Sequence, residues 1–84
     1  MPDPVIVVEV LSPSTRHIDG SAKLGAYFQI PSVQHYLIVD PDRRFVIHHA
    51  RQEGDMLATR IVRERSIALV PPGIEVAVGD FFTV

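Results

Sequence analysis

The 84-residue sequence contains no cysteine. That absence excludes a disulfide framework and any zinc site built on thiolates. Long hydrophobic runs are absent too, because uncharged apolar stretches such as Pro4 to Val8 are far shorter than the ~20 residues that cross a bilayer. The N-terminus has neither the basic segment nor the small-residue cleavage site of a secretion signal. Together these absences predict a cytoplasmic protein that does not enter the membrane.

The sequence also lacks a phosphate-binding glycine loop and a catalytic-serine signature. Its net charge of −2 differs from the basic balance of most nucleic-acid-binding domains. Six of the eight basic residues nevertheless lie between positions 43 and 65, against three acidic residues. A solvated strand face is one explanation of this cluster. Nucleic-acid contact is the other, and its candidate residues are Arg43, Arg44, Arg60 and Arg63.

The composition, with 46% hydrophobic and 21% charged residues, is ordinary for a soluble globular protein. The length predicts one domain over residues 1–84 with a thin core. Residues 4–11 contain four valines, one isoleucine and one leucine, and Glu9 is their only charged residue. Such a run predicts a β-strand covered on both faces.

The next segments predict a helix and a second buried strand. The spacing of Leu24, Tyr27 and Phe28 indicates one apolar face of a short helix over residues 19–29. A largely apolar strand follows at residues 34–40, so that strand, helix and strand have the size of a βαβ unit with parallel strands. The possible N-caps of the helix are Ser14, Thr15 and Asp19.

The C-terminal half has the alternation of antiparallel strands. Residues 44–50 and 56–64 predict a hairpin, and a short strand over residues 74–78 follows the turn at Pro71-Pro72-Gly73. The predicted fold is therefore a mixed α/β (α+β) sheet in the order β-α-β-β-β, with short C-terminal strands and one helix. One helix covers only one side of a sheet, so we expect an N-terminal extension, a second copy in a dimer or another partner on the other. Because strand sequence follows Met1 almost at once, we expect truncation or obligate assembly.

Glu9 raises the question of why a carboxylate lies in an apolar strand. Its position in the alternation puts it on the same strand face as Val7 and Leu11. A structural interpretation pairs Glu9 with Lys23 of the following helix or lets it reach the strand end. A functional interpretation makes it a metal ligand.

Three blocks of the sequence resemble a known family. They are Pro2-Asp3 followed by Val8-Glu9-Val10-Leu11-Ser12-Pro13-Ser14-Thr15, then Asp19, Lys23 and Tyr27, and then His35-Tyr36-Leu37-Ile38-Val39-Asp40-Pro41. This pattern resembles the Uma-type family of restriction endonucleases, which belongs to the PD-(D/E)xK, restriction-endonuclease-like superfamily. The resemblance extends over nearly the whole chain and corresponds to the later part of the family domain.

The resemblance implies Mg²⁺- or Mn²⁺-dependent hydrolysis of phosphodiester bonds in DNA. In this chemistry, carboxylates converge on a divalent cation that activates water, and a lysine stabilises charge at the phosphate. The resemblance gives Glu9 the role of second acid and metal ligand. The usual lysine position, two residues after that acid, is Leu11 here. Some family members carry the lysine on the following helix, which implies Lys23; an ordinary surface lysine is the alternative.

Asp3 is the motif's candidate for the first acid and so a candidate metal ligand beside Glu9. Six residues of extended strand nevertheless separate Asp3 from Glu9, or about 20 Å at about 3.3 Å per residue. Carboxylates that bind one Mg²⁺ must both come within about 2.1 Å of it. We therefore expect that Asp3 and Glu9 do not share an ion and that the first acid is missing from this chain.

The histidines predict no metal site. His48 and His49 are neighbours in a strand and should point to opposite faces. His17 and His35 have no recognisable ligand spacing, and we expect surface or packing roles for all four. Asp40 is expected to end a strand and begin a turn.

Two functions follow from the sequence. In the first, the chain is a metal-dependent endonuclease with little activity alone, because the first metal-binding aspartate is missing. In the second, it is a non-catalytic remnant of the same fold that acts as a self-associating structural or interaction module.

Overall fold

The computed structural model describes residues 3–12 and 21–82. Its elements follow the predicted order β-α-β-β-β, and the predicted short C-terminal strands are two in number and are followed by a 3₁₀ helix. They are β1 (Ile6–Val10), α1 (Ser21–Phe28), β2 (His35–Asp40), β3 (Phe45–Arg51), β4 (Leu57–Val62), β5 (Ser66–Leu69), β6 (Ile74–Ala77) and a 3₁₀ helix (Val78–Phe81).

Four strands form the main sheet in the order β1-β2-β3-β4. β1 and β2 are parallel, whereas β2–β3 and β3–β4 are antiparallel. The parallel βαβ pairing and the β3–β4 hairpin are therefore confirmed. The hairpin turn contains Gly54 at φ +67°, a left-handed conformation that glycine adopts without steric cost.

Helix α1 covers one face of the main sheet. It ends at Phe28, one residue before the predicted end, and residues 19 and 20 of the predicted helix lie outside the described residues. The aromatic ring of Tyr27 packs on that of Tyr36 in β2, with 5.1 Å between the ring centroids. Because the helix lacks acidic residues in its first turn and basic residues in its last, packing of this kind rather than dipole compensation stabilises it. The candidate N-caps Ser14, Thr15 and Asp19 lie outside the described residues.

The C-terminal strands correct one prediction. They form a separate two-stranded antiparallel sheet of β5 and β6, instead of extending the single mixed sheet. Alternation in β5 buries Ile67 and Leu69 against Leu37, Val39 and Val46 of the main sheet. Val78 completes this core cluster. The second face of the main sheet is therefore covered in part by the chain itself.

The two faces of the main sheet differ in what packs on them. The helix face carries Glu9, Tyr36 and Ile38, because Glu9 pairs with Ile38 and residues two apart share a face. The hairpin face is named after the β5–β6 pair that packs on it. It carries Leu37 and His48, which pair with each other.

Burial differs between the two parallel strands. In β2 every residue except Ile38 is buried, as predicted. For β1 the prediction of cover on both faces is wrong, because Val8 and Val10 are 47% and 59% exposed on the hairpin face. β1 lies at one end of the strand order, beyond the part of the sheet that β5 and β6 cover.

Candidate active site around Glu9

Glu9 lies at the carboxyl end of β1, one residue before the strand ends. The adjacent parallel strand β2 and helix α1 provide the groups around it. Tyr36 of β2 donates its phenolic hydrogen to Glu9 Oε2 over 2.6 Å. Lys23 of α1 donates to Glu9 Oε1 and forms an ion pair with it. Both carboxylate oxygens are therefore held, one by each neighbouring element.

The strand–helix–strand connection explains why these three residues meet. β1 and β2 are neighbours, and Val7 pairs with Tyr36, so that Tyr36 lies diagonally beside Glu9 on the helix face. Helix α1 packs over the same face through Tyr27 and Tyr36. Lys23 is one helical turn before Tyr27, and it therefore projects toward the same part of the sheet.

The site remains accessible to solvent. The Lys23 side chain is 43% exposed and the Glu9 side chain 25% exposed, whereas Tyr36 is buried. The buried Tyr36 hydroxyl thus orients the Glu9 carboxylate from the sheet, while the exposed Lys23 ammonium group contacts it from the helix. The exposed side of the pair can receive a ligand.

Electrostatics keep Glu9 ionised and its partners protonated. The hydrogen bond from Lys23, followed by that from Tyr36, lowers the pKa of Glu9 below its ordinary value. The same bond to Glu9 raises the pKa of Lys23. Burial, followed by the hydrogen bond to Glu9, raises the pKa of the Tyr36 hydroxyl. At neutral pH the site therefore contains a carboxylate between two protonated donors.

The residues present do not complete a metal site. Within residues 3–12 and 21–82, no three histidine, cysteine or acidic side chains lie close enough to hold an ion together. Asp3 is exposed and precedes β1. Asp40 is buried at the end of β2, where its Oδ1 accepts a hydrogen bond from the Arg43 backbone N–H. Because Mg²⁺ prefers several oxygen ligands, Glu9 alone does not fit it.

The four arginines singled out in the sequence do not form one cluster. Arg43 and Arg44 lie in the β2–β3 turn, and Arg63 follows β4 at the same end of the sheet, which is also the end where Glu9 lies. Arg63 stacks on Phe45, at 5.7 Å from guanidinium carbon to ring centroid. Phe45 is two residues from Ile47, which pairs with Ile38, so this contact is on the helix face.

Arg44 and Arg60 belong to the other side of the sheet. Arg44 stacks on Phe82, at 5.0 Å from guanidinium carbon to ring centroid, and Phe82 packs against the core cluster. Arg60 pairs with His48 on the hairpin face. Of the four, Arg63 is the arginine that shares a face with Glu9.

The histidines follow the predicted alternation. His48 lies on the hairpin face and contacts His35, whereas His49 lies on the helix face, where its Nδ1 is 2.9 Å from Thr59 Oγ1. The contact between His35 and His48 was not predicted. His17 is outside the described residues.

Tyr36 is the site residue that sequence reasoning missed. It belongs to the strand block quoted above, but nothing local assigns it a role. The signal lies in the pairing of two strands: once Val7 is aligned with Tyr36, a tyrosine hydroxyl falls within reach of Glu9. That alignment depends on the fold rather than on residue spacing.

None of the helices in the described parts of the chain has the length and apolar character needed to span a membrane.

Comparison with known proteins places this chain in a family. Residues 1–79 match the Uma2 family model, which is described as "Putative restriction endonuclease". A relative from Synechocystis sp., named uncharacterized protein slr1290, is 34% identical over 76 residues. The match covers 89% of this chain and 40% of that relative, so the chain spans less than half of its length. The chain therefore belongs to the Uma2 family.

Proposed function

We propose that this chain supplies the Glu9–Lys23 part of a divalent-metal-dependent endonuclease site that hydrolyses phosphodiester bonds in DNA. The observation that carries the proposal is the contact between one ionised carboxylate and the chain's single lysine at the carboxyl end of a parallel strand. Carboxylate and ammonium groups are what phosphodiester hydrolysis requires: one to bind a cation, the other to stabilise charge on phosphate.

Each residue has a separate task in this proposal. Glu9 contributes one carboxylate ligand, and Tyr36 keeps that carboxylate in a single orientation. Lys23 places an exposed positive charge where a phosphodiester approaches the sheet. Arg63, on the same face and at the same end, adds a second positive charge for the DNA backbone.

The fold supports a restriction-endonuclease-like arrangement for the single domain. A parallel β1–α1–β2 unit carries the acid on its first strand and the lysine on its helix. The remaining carboxylates belong, in this proposal, outside the described residues, because Glu9 alone does not fit Mg²⁺. We therefore expect the 84-residue chain to cleave DNA only weakly.

Plasmid nicking tests this function. Supercoiled plasmid incubated with excess protein and Mn²⁺ or Mg²⁺ should be nicked slowly by the unmodified chain and not by Glu9→Gln or Lys23→Met. Glu75→Gln, on the exposed strand β6, is the matched control and should retain the activity of the unmodified chain. Nicking that persists in Glu9→Gln would rule out the proposed site.

A second function, self-association without catalysis, is favoured by a different observation. Val8 and Val10 are exposed on β1, which is an edge strand of the main sheet. Exposed apolar edge strands pair readily with other strands. A second copy that pairs through β1 would give a homodimer with a continuous sheet.

Sedimentation velocity decides between a monomer and this dimer. Val8→Lys introduces a charge at the β1 edge and should convert a dimer to a monomer. Ile61→Lys is the control, because Ile61 is 61% exposed on the opposite edge strand β4. A monodisperse monomer from the unmodified chain contradicts the self-association function.

A further inference from the structure

A cavity of about 340 Å³ lies on the hairpin face, away from Glu9. Its volume falls in the range of small-molecule pockets, about 300–1,000 Å³. Ala58, Val62 and Ile67 contribute apolar walls from β4 and β5, and no acidic residue lines it. Its polar lining includes His35, His48 and Arg60. The cavity thus combines apolar walls with one permanent positive charge.

Two buried histidines form a hydrogen-bonded chain at this cavity. His35 Nε2 lies 2.9 Å from the Pro71 carbonyl oxygen, and His35 Nδ1 lies 2.9 Å from His48 Nε2. A carbonyl oxygen only accepts, so the neutral form of His35 carries its proton on Nε2, and its Nδ1 is then an acceptor. His48 must then donate from Nε2, which leaves His48 Nδ1 as a second acceptor. Among the described residues, no hydrogen bond to His48 Nδ1 is present.

Arg60 provides the charge next to this acceptor. It is paired with His48 across β3 and β4, and both side chains are on the hairpin face. Within residues 3–12 and 21–82, Arg60 has no ion-pair partner. Burial first, and then the charges of His35, Arg60 and His49, lower the pKa of His48 to about 4. His48 is therefore neutral near neutral pH and keeps its acceptor.

The ligand must complement both groups at once. An anionic oxygen suits the guanidinium of Arg60, and phosphate binds guanidinium in a two-point geometry. The Nδ1 acceptor of His48 calls for a hydrogen-bond donor on the same ligand. A phosphate monoester with one remaining P–OH has both groups, whereas the phosphodiesters of a nucleic-acid backbone have no such hydrogen.

We propose that this cavity binds a small phosphate monoester, with its phosphate on Arg60, its P–OH donated to His48, and its organic part against Ala58, Val62 and Ile67. The site is separate from the proposed nuclease site, because Glu9 and His48 lie on opposite faces of the main sheet. It therefore stands whether or not the chain cleaves DNA.

Three probes test the proposal by NMR of the His35 and His48 rings. They are methyl phosphate, inorganic phosphate and dimethyl phosphate, titrated at constant ionic strength near neutral pH, where His48 is neutral. We expect saturable shifts of the His48 resonances with methyl phosphate, binding at least as tight as that of inorganic phosphate, and about tenfold weaker binding of dimethyl phosphate.

Matched arginine variants locate the ligand. Arg60→Gln should weaken methyl phosphate binding about tenfold or more, because a charge-assisted hydrogen bond is lost. Arg43→Gln, which removes an exposed arginine of the β2–β3 turn, should leave it unchanged. Both positions are exposed, so both variants should keep the fold, and the remaining resonances report this directly.

Several outcomes overturn the proposal. One is the absence of a saturable His48 shift with methyl phosphate, and another is equal binding by Arg60→Gln. If inorganic phosphate binds about tenfold more tightly than methyl phosphate, the site is one for a free ion. If dimethyl phosphate binds as tightly as methyl phosphate, the cavity instead binds the phosphodiester of a nucleic-acid backbone.

Discussion

The hydroxyl of Tyr36 donates a 2.6 Å hydrogen bond to Glu9 Oε2 from the neighbouring parallel strand. This contact turns an isolated carboxylate in an apolar strand into an oriented one. The other oxygen of Glu9 accepts from Lys23. Tyr36 is buried and Lys23 is exposed, so substitution of each residue tests its own hydrogen bond to Glu9.

Tyr36→Phe removes the buried donor and keeps the ring. We expect a loss of about 1.5–3 kcal/mol in the free energy of unfolding, the usual size for a hydrogen bond to a charged group. The pKa of Glu9 should rise, because one of the bonds that stabilise its ionised form is gone. Urea unfolding and carbon-detected NMR titration of the Glu9 carboxyl measure the two effects.

Tyr27→Phe is the matched control for this variant. Tyr27 contacts the Tyr36 ring through its own ring, and the substitution preserves that contact. Stability and the pKa of Glu9 should both stay unchanged. Equal effects of the two variants would mean that the Tyr36 hydroxyl has no special role.

Lys23→Met should raise the pKa of Glu9 more than Tyr36→Phe does, because the bond from Lys23 is the larger cause of its lowering. A carboxylate with a lowered folded-state pKa adds stability above its ordinary pKa of 4.5, and that stability is lost as pH falls through the folded value. The acid limb of the stability curve should therefore flatten in Lys23→Met. Lys23→Arg retains the charge and should keep the slope.

His48 should make the free energy of unfolding depend on pH in a different pH range. Its pKa falls from an ordinary 6.5 to about 4 in the folded state, so the unfolded chain binds more protons between these values. The contribution of His48 is complete above pH 6.5 and lost as pH falls toward 4. A pKa difference of one corresponds to about 1.4 kcal/mol, so the drop from 6.5 to about 4 corresponds to a loss on the order of 3 kcal/mol.

Proton NMR of the His48 ring checks this prediction residue by residue. A midpoint near the ordinary 6.5 would contradict the buried pair with His35. Urea unfolding across the same pH range should show stability that rises with pH, and His48→Gln should reduce the slope.

Arg51 is predicted to be a structural arginine rather than a DNA contact. Its guanidinium donates to the carbonyl oxygens of Val33, Phe28 and Ile30, and it stacks on the Phe28 ring. Arg51→Met leaves these carbonyls without this donor and should destabilise the fold by about 2 kcal/mol or more. Arg43→Met, in the exposed β2–β3 turn, should leave the unfolding midpoint unchanged.

DNA affinity should depend on the face that an arginine occupies. Arg63 shares the helix face with Glu9, whereas Arg60 lies on the hairpin face. Arg63→Gln should weaken duplex binding and reduce the slope of log affinity against log salt by about 0.9, the value for one phosphate contact. Arg60→Gln should leave that slope unchanged in fluorescence anisotropy. If Arg60→Gln reduces the slope and Arg63→Gln does not, the DNA binds the hairpin face.

The sequence alone determined the order of the elements, the parallel β1–β2 pair and the family resemblance. These depend on local information: apolar runs, alternation, turn residues and motif blocks. Glu9 was noticed in this way, because a charge in an apolar strand stands out without a structure, whereas the functional role of Lys23 is what the family resemblance implies.

Only the tertiary structure decided which groups meet across the chain. Tyr36 reaches Glu9 and His35 reaches His48 because of strand register, which local periodicity does not specify. The separate β5–β6 sheet, which buries Ile67 and leaves Val8 exposed, depends on how the two sheets pack. The alternation of residues along a strand predicts which of them share a face, but only packing determines what covers that face.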